Sequence, residues 1–129
     1  MKQGQYIKES VFWFIVDNDL TPLFVQEFIE KLVKILKVKL VFSKVNKLPP
    51  GFDVFTGIQE SCIYFGYWGE YKYCRLFISS CKNYDEEKVL EAIKKFFPVE
   101  GNVMKKTTKD LSIKKEVEVL QCLNKYLKT

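Results

Sequence analysis

The residues of this chain best suited to do chemistry as a set are a glutamate-serine pair at Glu60-Ser61, an indole at Trp68, a carboxylate at Glu70 and a thiol at Cys81. Counted from the serine, Trp68 follows after seven positions, Glu70 after nine and Cys81 after twenty. A serine hydroxyl can attack the carbonyl before it and turn an amide into an ester, a thiol can hand over a proton, and a carboxylate can accept from a vicinal diol. Singly, each residue has a plainer use: a serine between strands is turn chemistry, and a lone cysteine is a small buried apolar group. The sequence contains no histidine, so the one side chain that titrates near neutral pH without perturbation is missing.

The chain that must position these groups has 129 residues, 47% of them apolar and 16% aromatic. That is enough for one packed core and too little for two ordinary domains, so residues 1-129 read as a single domain. The apolar run Val11 to Val16 is bounded by Glu9 and Asp17 and is too short for a membrane span or a signal core. A soluble, cytoplasmic protein is expected, with no membrane partner. In a reducing compartment the four cysteines, Cys62, Cys74, Cys81 and Cys122, are free thiols. Without a CxxC pair or a histidine no metal site is expected. The net charge of +5 fits a solvated mixed-charge surface, because the Lys-Lys pairs at 94/95, 105/106 and 114/115 are spread over three elements rather than one nucleic-acid-binding face.

Hydrophobic periodicity gives the elements. Residues 6 to 16 read as a strand ended by Asp17-Asn18-Asp19. Thr21 and Pro22 open a helix carrying Leu23, Phe24, Phe28, Leu32, Ile35 and Leu36. Residues 38 to 45 alternate as a second strand, and Asn46 to Gly51, with its two prolines, reads as a loop. Strands are expected at 54 to 59, 62 to 68 and 73 to 80, the first two hinged at Glu60-Ser61. Asp85 caps a second helix with Glu86 and Glu87 in its first turn, and Pro98 stops it. A short strand at 102 to 106 and an amphipathic helix from Asp110 to Leu127 complete the chain, the helix packing on the domain or on a partner. This order predicts an α+β fold: a two-layer α/β sandwich, mostly antiparallel, with helices on one face of the sheet. Its other face must also be covered.

The run from Glu60 to Tyr73, with Cys81 behind it, resembles the self-cleavage and active-site segment of the prokaryotic-type S-adenosylmethionine decarboxylases. In that family a Glu-Ser pair is cut by its own serine, a Trp-Pro-Glu-Tyr-Gly-Tyr segment follows, and a strand end carries a catalytic thiol. All three spacings agree, and the resemblance runs from about Leu48 to Met104. It implies that Ser61 is the precursor of a pyruvoyl group, that Glu60 becomes the new carboxy-terminus, and that Cys81 donates the proton after decarboxylation. Ester formation, elimination and hydrolysis would convert Ser61 to the ketone, which forms a Schiff base with an α-amino acid and takes up the electron pair released with carbon dioxide. Glu70 would hold the ribose hydroxyls of S-adenosylmethionine, and Trp68 would form part of the pocket wall. The implied enzyme is a carboxy-lyase of polyamine and spermidine biosynthesis, working as a sheet-to-sheet homodimer with its sites at or near the interface.

The departures from the family pattern fall at chemical positions. Gly66 stands where the family has its processing histidine, Asp53 where a serine assists cleavage, and Cys62 where a second histidine follows the cleaved serine. Gly69 replaces the proline of Trp-Pro-Glu, and Lys47 stands where an aromatic ring is expected against the adenine. Elimination without histidine is expected to be slow, leaving the chain largely uncleaved, and Gly66→His is expected to speed it. Asp53 is a candidate base, or an ordinary loop residue after Pro-Pro-Gly. Three other functions stay open at this stage: a non-processing regulatory paralogue, a decarboxylase of a basic amino acid such as ornithine or arginine, and a single-stranded RNA-binding module using the aromatics Tyr64 to Trp68.

Overall fold

The structure, a computed structural model, describes residues 6–59 and 61–127. Its element order is β1 (Tyr6–Val16), α1 (Pro22–Leu36), β2 (Leu40–Leu48), β3 (Gly51–Ile58), β4 (Ser61–Trp68), β5 (Tyr73–Ser80), α2 (Glu86–Phe96), β6 (Val99–Ser112) and α3 (Ile113–Leu127). The strands form one six-stranded sheet in the order β2-β3-β4-β5-β1-β6, antiparallel at every neighbouring pair. This is the expected α+β sandwich. None of the described helices is long and apolar enough to cross a membrane.

Alternation decides which face is covered. Phe12, Phe14 and Val16 of β1, Val54 of β3, Ile63 and Phe65 of β4 and Leu76 and Ile78 of β5 are buried against Phe28, Ile29 and Leu32 of α1 and Val89 and Ile93 of α2. Phe97, just beyond α2, stacks on Phe65 at 5.4 Å and meets Phe14 at 5.3 Å, locking the helices to the middle strands. The intervening residues point to the other face, which no helix covers. A row of cross-strand partners crosses it: Met104, Trp13, Arg75, Gly66, Asp53 and Asn46. Ile15, Phe42, Phe55, Trp68 and Met104 are exposed there.

The helix termini follow from local chemistry. Thr21 Oγ1 accepts from the Phe24 amide at 3.2 Å, and Lys37 ends α1 in the left-handed conformation. Asp85 Oδ1 accepts from the Glu87 amide at 3.0 Å. Glu86 and Glu87 then reach back to the sheet. Lys8 of β1 lies 3.2 Å from Glu86, Thr107 of β6 donates to Glu86 at 2.7 Å, and Lys105 pairs with Glu87. Desolvation opposes ionisation of Glu86, but the hydrogen bonds from Thr107 and Lys8 and the charges of Lys8 and Lys105 outweigh it and lower its pKa. Lys8 itself is buried and also donates to the Tyr84 carbonyl at 2.9 Å and to Asn83 at 3.3 Å.

Three boundaries differ from those read in the sequence. The loop expected over Asn46 to Gly51 shrinks to Pro49-Pro50, because the β2/β3 ladder continues to the pair Leu48↔Gly51. The strand expected at 102 to 106 is Val99–Ser112, paired with β1 along its length through two irregularities. Its Lys- and Thr-rich sequence belongs to an edge strand, bonded on one side and protected by charge on the other. The last helix starts at Ile113 rather than Asp110, with Ser112 Oγ accepting from the Lys115 amide at 3.2 Å. It contacts β6, where Lys109 faces Glu116 at 3.9 Å, and buries none of its residues.

Candidate functional site

Two groups of residues form at opposite ends of the β3/β4 hairpin. At the tip, Ile58 and Ser61 are cross-strand partners and Ser61 is the first residue of β4. Glu60 lies outside the described residues. Cys62 pairs with Ser79 of β5, which sets Ser61 opposite Ser80 and Cys81 one residue further on. Cys81 follows in the bend after β5, where the Lys82 amide donates to Ser80 Oγ at 3.0 Å. Ser61 and Cys81 are half-buried. Ser61 keeps the phase of the enclosed Ile63 but sits at the sheet's margin, where the turn ends. Cys62 is half-buried on the uncovered face, and desolvation, followed by the charge of Glu9, raises its thiol pKa.

At the other end, Leu48, Gly51, Phe52, Asp53, Tyr64, Gly66, Tyr67, Trp68 and Glu70 line a cavity of about 190 Å³. Asp53 and Gly66 are direct cross-strand partners. Asp53 Oδ1 accepts from Asn46 Nδ2 at 2.9 Å, and Oδ2 accepts from Tyr64 Oη at 3.3 Å. Burial raises the Tyr64 phenol, and the charge of Asp53 and its hydrogen bond raise it further. Position 66 is not open space. A Cβ there would stand 2.8 Å from Trp68 Cζ3 and 3.1 Å from Tyr64 Oη.

Gly69 and Gly51 allow this end to close tightly. A Cβ on Gly69 would lie 1.9 Å from the Pro50 carbonyl oxygen, and one on Gly51 would lie 2.1 Å from that of Tyr67. The Pro49-Pro50 turn therefore packs directly on the backbone after Trp68, and a proline at 69 would not fit beneath it. That accounts for one departure from the Trp-Pro-Glu pattern.

Asp53, Trp68 and Glu70 are thus brought together around one cavity, while Ser61 and Cys81 lie at neighbouring strand ends, and the two groups are not joined within one chain. From Ser61 to Trp68 is roughly 23 Å of strand. Within a single chain Glu70 and Ser61 stand apart, because the eight residues of β4 separate them. Lys47 is an exposed residue of the edge strand opposite Phe52, and its neighbour Leu48 lines the cavity instead. The sequence reading missed Asn46. Alternation held the signal: Asn46, Asp53, Tyr64, Gly66 and Arg75, the chain's one arginine, all lie on the uncovered face.

A six-stranded antiparallel sheet with one bare face and a serine-led strand at a hairpin tip defines an α+β class whose site is built on the sheet. The model of the S-adenosylmethionine decarboxylase family matches residues 19–110, most of the chain, and the protein belongs to that family. Its fold is similar to the crystal structure of the adenosylmethionine decarboxylase from Aquifex aeolicus VF5, with a TM-score of 0.61 and 17% identity over 82% of this chain and 90% of that one. No curated protein sequence matches significantly. The matched segment ends at Asp110, so α3 lies beyond it.

Proposed function

We propose that the chain is a pyruvoyl-dependent decarboxylase of S-adenosylmethionine that matures by cutting itself between Glu60 and Ser61 and works as a homodimer. One observation carries this reading: Ser61 leads β4 at one end of the β3/β4 hairpin, beside the end of β5 that Cys81 follows, and the residues of the cavity lie at the other end. Sheets packed face to face lie about 10 Å apart. A two-fold axis through the middle of the bare face, near the pair Tyr64↔Phe77, would lay the cavity end of one copy over the Ser61 end of the other. Each dimer would then hold two complete sites. The exposed apolar residues of this face provide the surface for that contact.

The residues present fit a group made from Ser61. A cut before it leaves the ladder from Gly57↔Cys62 onward in place, so Cys62 remains held by Gly57 on one side and Ser79 on the other. The pyruvoyl ketone supplies the electron sink for loss of the substrate carboxylate. Around it, Cys81 Sγ holds the proton that goes to the substrate carbon, Glu70 accepts from the substrate hydroxyls, and Trp68 walls the pocket against water.

Mass analysis of the purified protein, with assay of carbon dioxide release from S-adenosylmethionine, tests the proposal. Two fragments meeting at residues 60 and 61, the second with a blocked amino-terminus, together with carbon dioxide release, are expected for the wild type, and one intact inactive chain for Ser61→Ala. A wild-type chain that stays whole overturns it.

A further inference from the structure

Opening an ester at Ser61 by elimination requires a group that takes the proton from the Ser61 Cα, and a chain with no histidine must find that group elsewhere. On the bare face, both oxygens of Asp53 are already held, one by Asn46 Nδ2 at 2.9 Å and the other by Tyr64 Oη at 3.3 Å. The Tyr64 ring leans toward Gly66, since its hydroxyl lies 3.1 Å from where a Cβ of residue 66 would stand. It therefore points away from Ser61 of its own chain and into the cavity it shares with Trp68 and Glu70. The absence of a side chain at Gly66 is what lets the phenol occupy this place.

We propose that Tyr64 and Asp53 form a proton relay that drives self-cleavage, acting on Ser61 of a second copy of the chain. Tyr64 Oη takes the proton from Cα of that serine while its own proton passes to Asp53 Oδ2. The electron pair left on Cα forms a Cα=Cβ double bond, the Cβ–Oγ bond breaks, and Glu60 leaves as a carboxylate. The dehydroalanine end takes up water and loses ammonia, which leaves the ketone. Asp53 then releases its proton to solvent. Asn46 is a positioning residue that fixes the carboxylate plane. The carboxylate does not face the oxyanion of the earlier ester-forming step directly, because the neutral phenol stands between them.

This inference rests on the self-cleaving reading above, and one set of experiments separates the two. Cleavage of wild type, Tyr64→Phe, Asp53→Asn and Ser61→Ala is followed by mass, with thermal unfolding as the check that each variant folds. Tyr64→Phe keeps the ring and loses only the hydroxyl. Both relay variants are expected to split about 10²- to 10⁴-fold more slowly than wild type. Both should accumulate the ester, so that hydroxylamine cuts them between Glu60 and Ser61 and leaves a hydroxamate on Glu60. Folding Tyr64→Phe together with Ser61→Ala should restore cleavage in about half of the Tyr64→Phe chains, those whose partner supplies an intact relay. Folded relay variants that split at the wild-type rate overturn the relay and leave the decarboxylase standing. Relay variants that stay whole and resist hydroxylamine also overturn it, since the block would then precede the ester. A wild-type chain with neither cleavage nor ester overturns both readings.

Discussion

The two ends of the β3/β4 hairpin are built in opposite ways. At the Pro49-Pro50 end, glycines at 51 and 69 bring backbone against backbone, and the side chains around the cavity are braced: Trp68 lies over Gly66 and Asp53 is bonded on both oxygens. At the tip, the ladder ends at the pair Ile58↔Ser61, and the serine and the thiol that follows β5 are half-buried. The braced end can hold a carboxylate and a phenol in fixed geometry, as binding and proton transfer require. The tip can be opened without dismantling the sheet. On the proposed function, the part that must stay rigid and the part that must break are separated by the length of one strand.

If the ends meet only between copies, the largest effects come from variants that disable one end at a time. Cys81→Ala is expected to lower decarboxylation about 10²- to 10⁴-fold through loss of its proton donor, and Glu70→Ala to weaken substrate binding. Mixing the two should return about one quarter of wild-type activity, because half of randomly paired dimers are mixed and each carries one undamaged site. No recovery in a mixture shown to exchange subunits would refute the shared site. Next in size is Phe77→Glu at the centre of the bare face. An interface anchor is worth about 2 kcal/mol or more, so dimerisation should weaken at least about 30-fold. Light scattering and the rate of self-cleavage should fall together, and a folded monomer that still cuts itself would break the comparison.

Much of this arrangement was legible in the sequence because it is written in local rules. The alternation of β4 and β5, the Thr21-Pro22 helix start and the Asp85 cap each follow from a few neighbouring residues, and the elements they predict are present. The spacings after Ser61 led to the family. What stayed hidden depends on partners distant in sequence. The length of β6 is fixed by β1 about a hundred residues earlier, and by an ion pair from Lys105 and a hydrogen bond from Thr107 to α2. The fit of Gly69 beneath Pro50 is a contact across the sheet's end, and Tyr64 gains a role only once Asp53 lies beside it. The separation of Ser61 from Glu70 could have been read, since a straight strand between two residues keeps them apart, but spacing alone does not say in which chain they meet.

The two ends should also differ in tolerance, and here the expected effects are smaller. Restoring the family's proline with Gly69→Pro puts atoms where the Pro50 carbonyl already stands, since a Cβ at 69 would lie 1.9 Å from that oxygen. Because the obstacle is backbone, relief requires shifting the Pro49-Pro50 turn, and the chain should lose about 1–3 kcal/mol in a denaturant titration. Gly66→His meets a different obstacle. The nearest atoms are the far edge of the Trp68 ring at 2.8 and 2.9 Å, and Trp68 is exposed enough to swing away. A loss near the lower end of the same range, about 1 kcal/mol, is expected there, with Trp68 fluorescence reporting the movement.

At the tip, Gln59→Ala should change stability by no more than about 0.5 kcal/mol. The Gln59 side chain is exposed, and the hydrogen bond made at this position comes from the backbone, the Gln59 amide donating to the Lys39 carbonyl at 2.9 Å. Alanine keeps that amide. The same substitution should leave the cleavage rate within about two-fold if the proposed relay acts on Ser61 from the other end of a partner copy. A Gln59→Ala chain that unfolds as readily as Gly69→Pro would mean the tip is braced as tightly as the cavity end. The contrast between an end that holds and an end that opens would then be wrong.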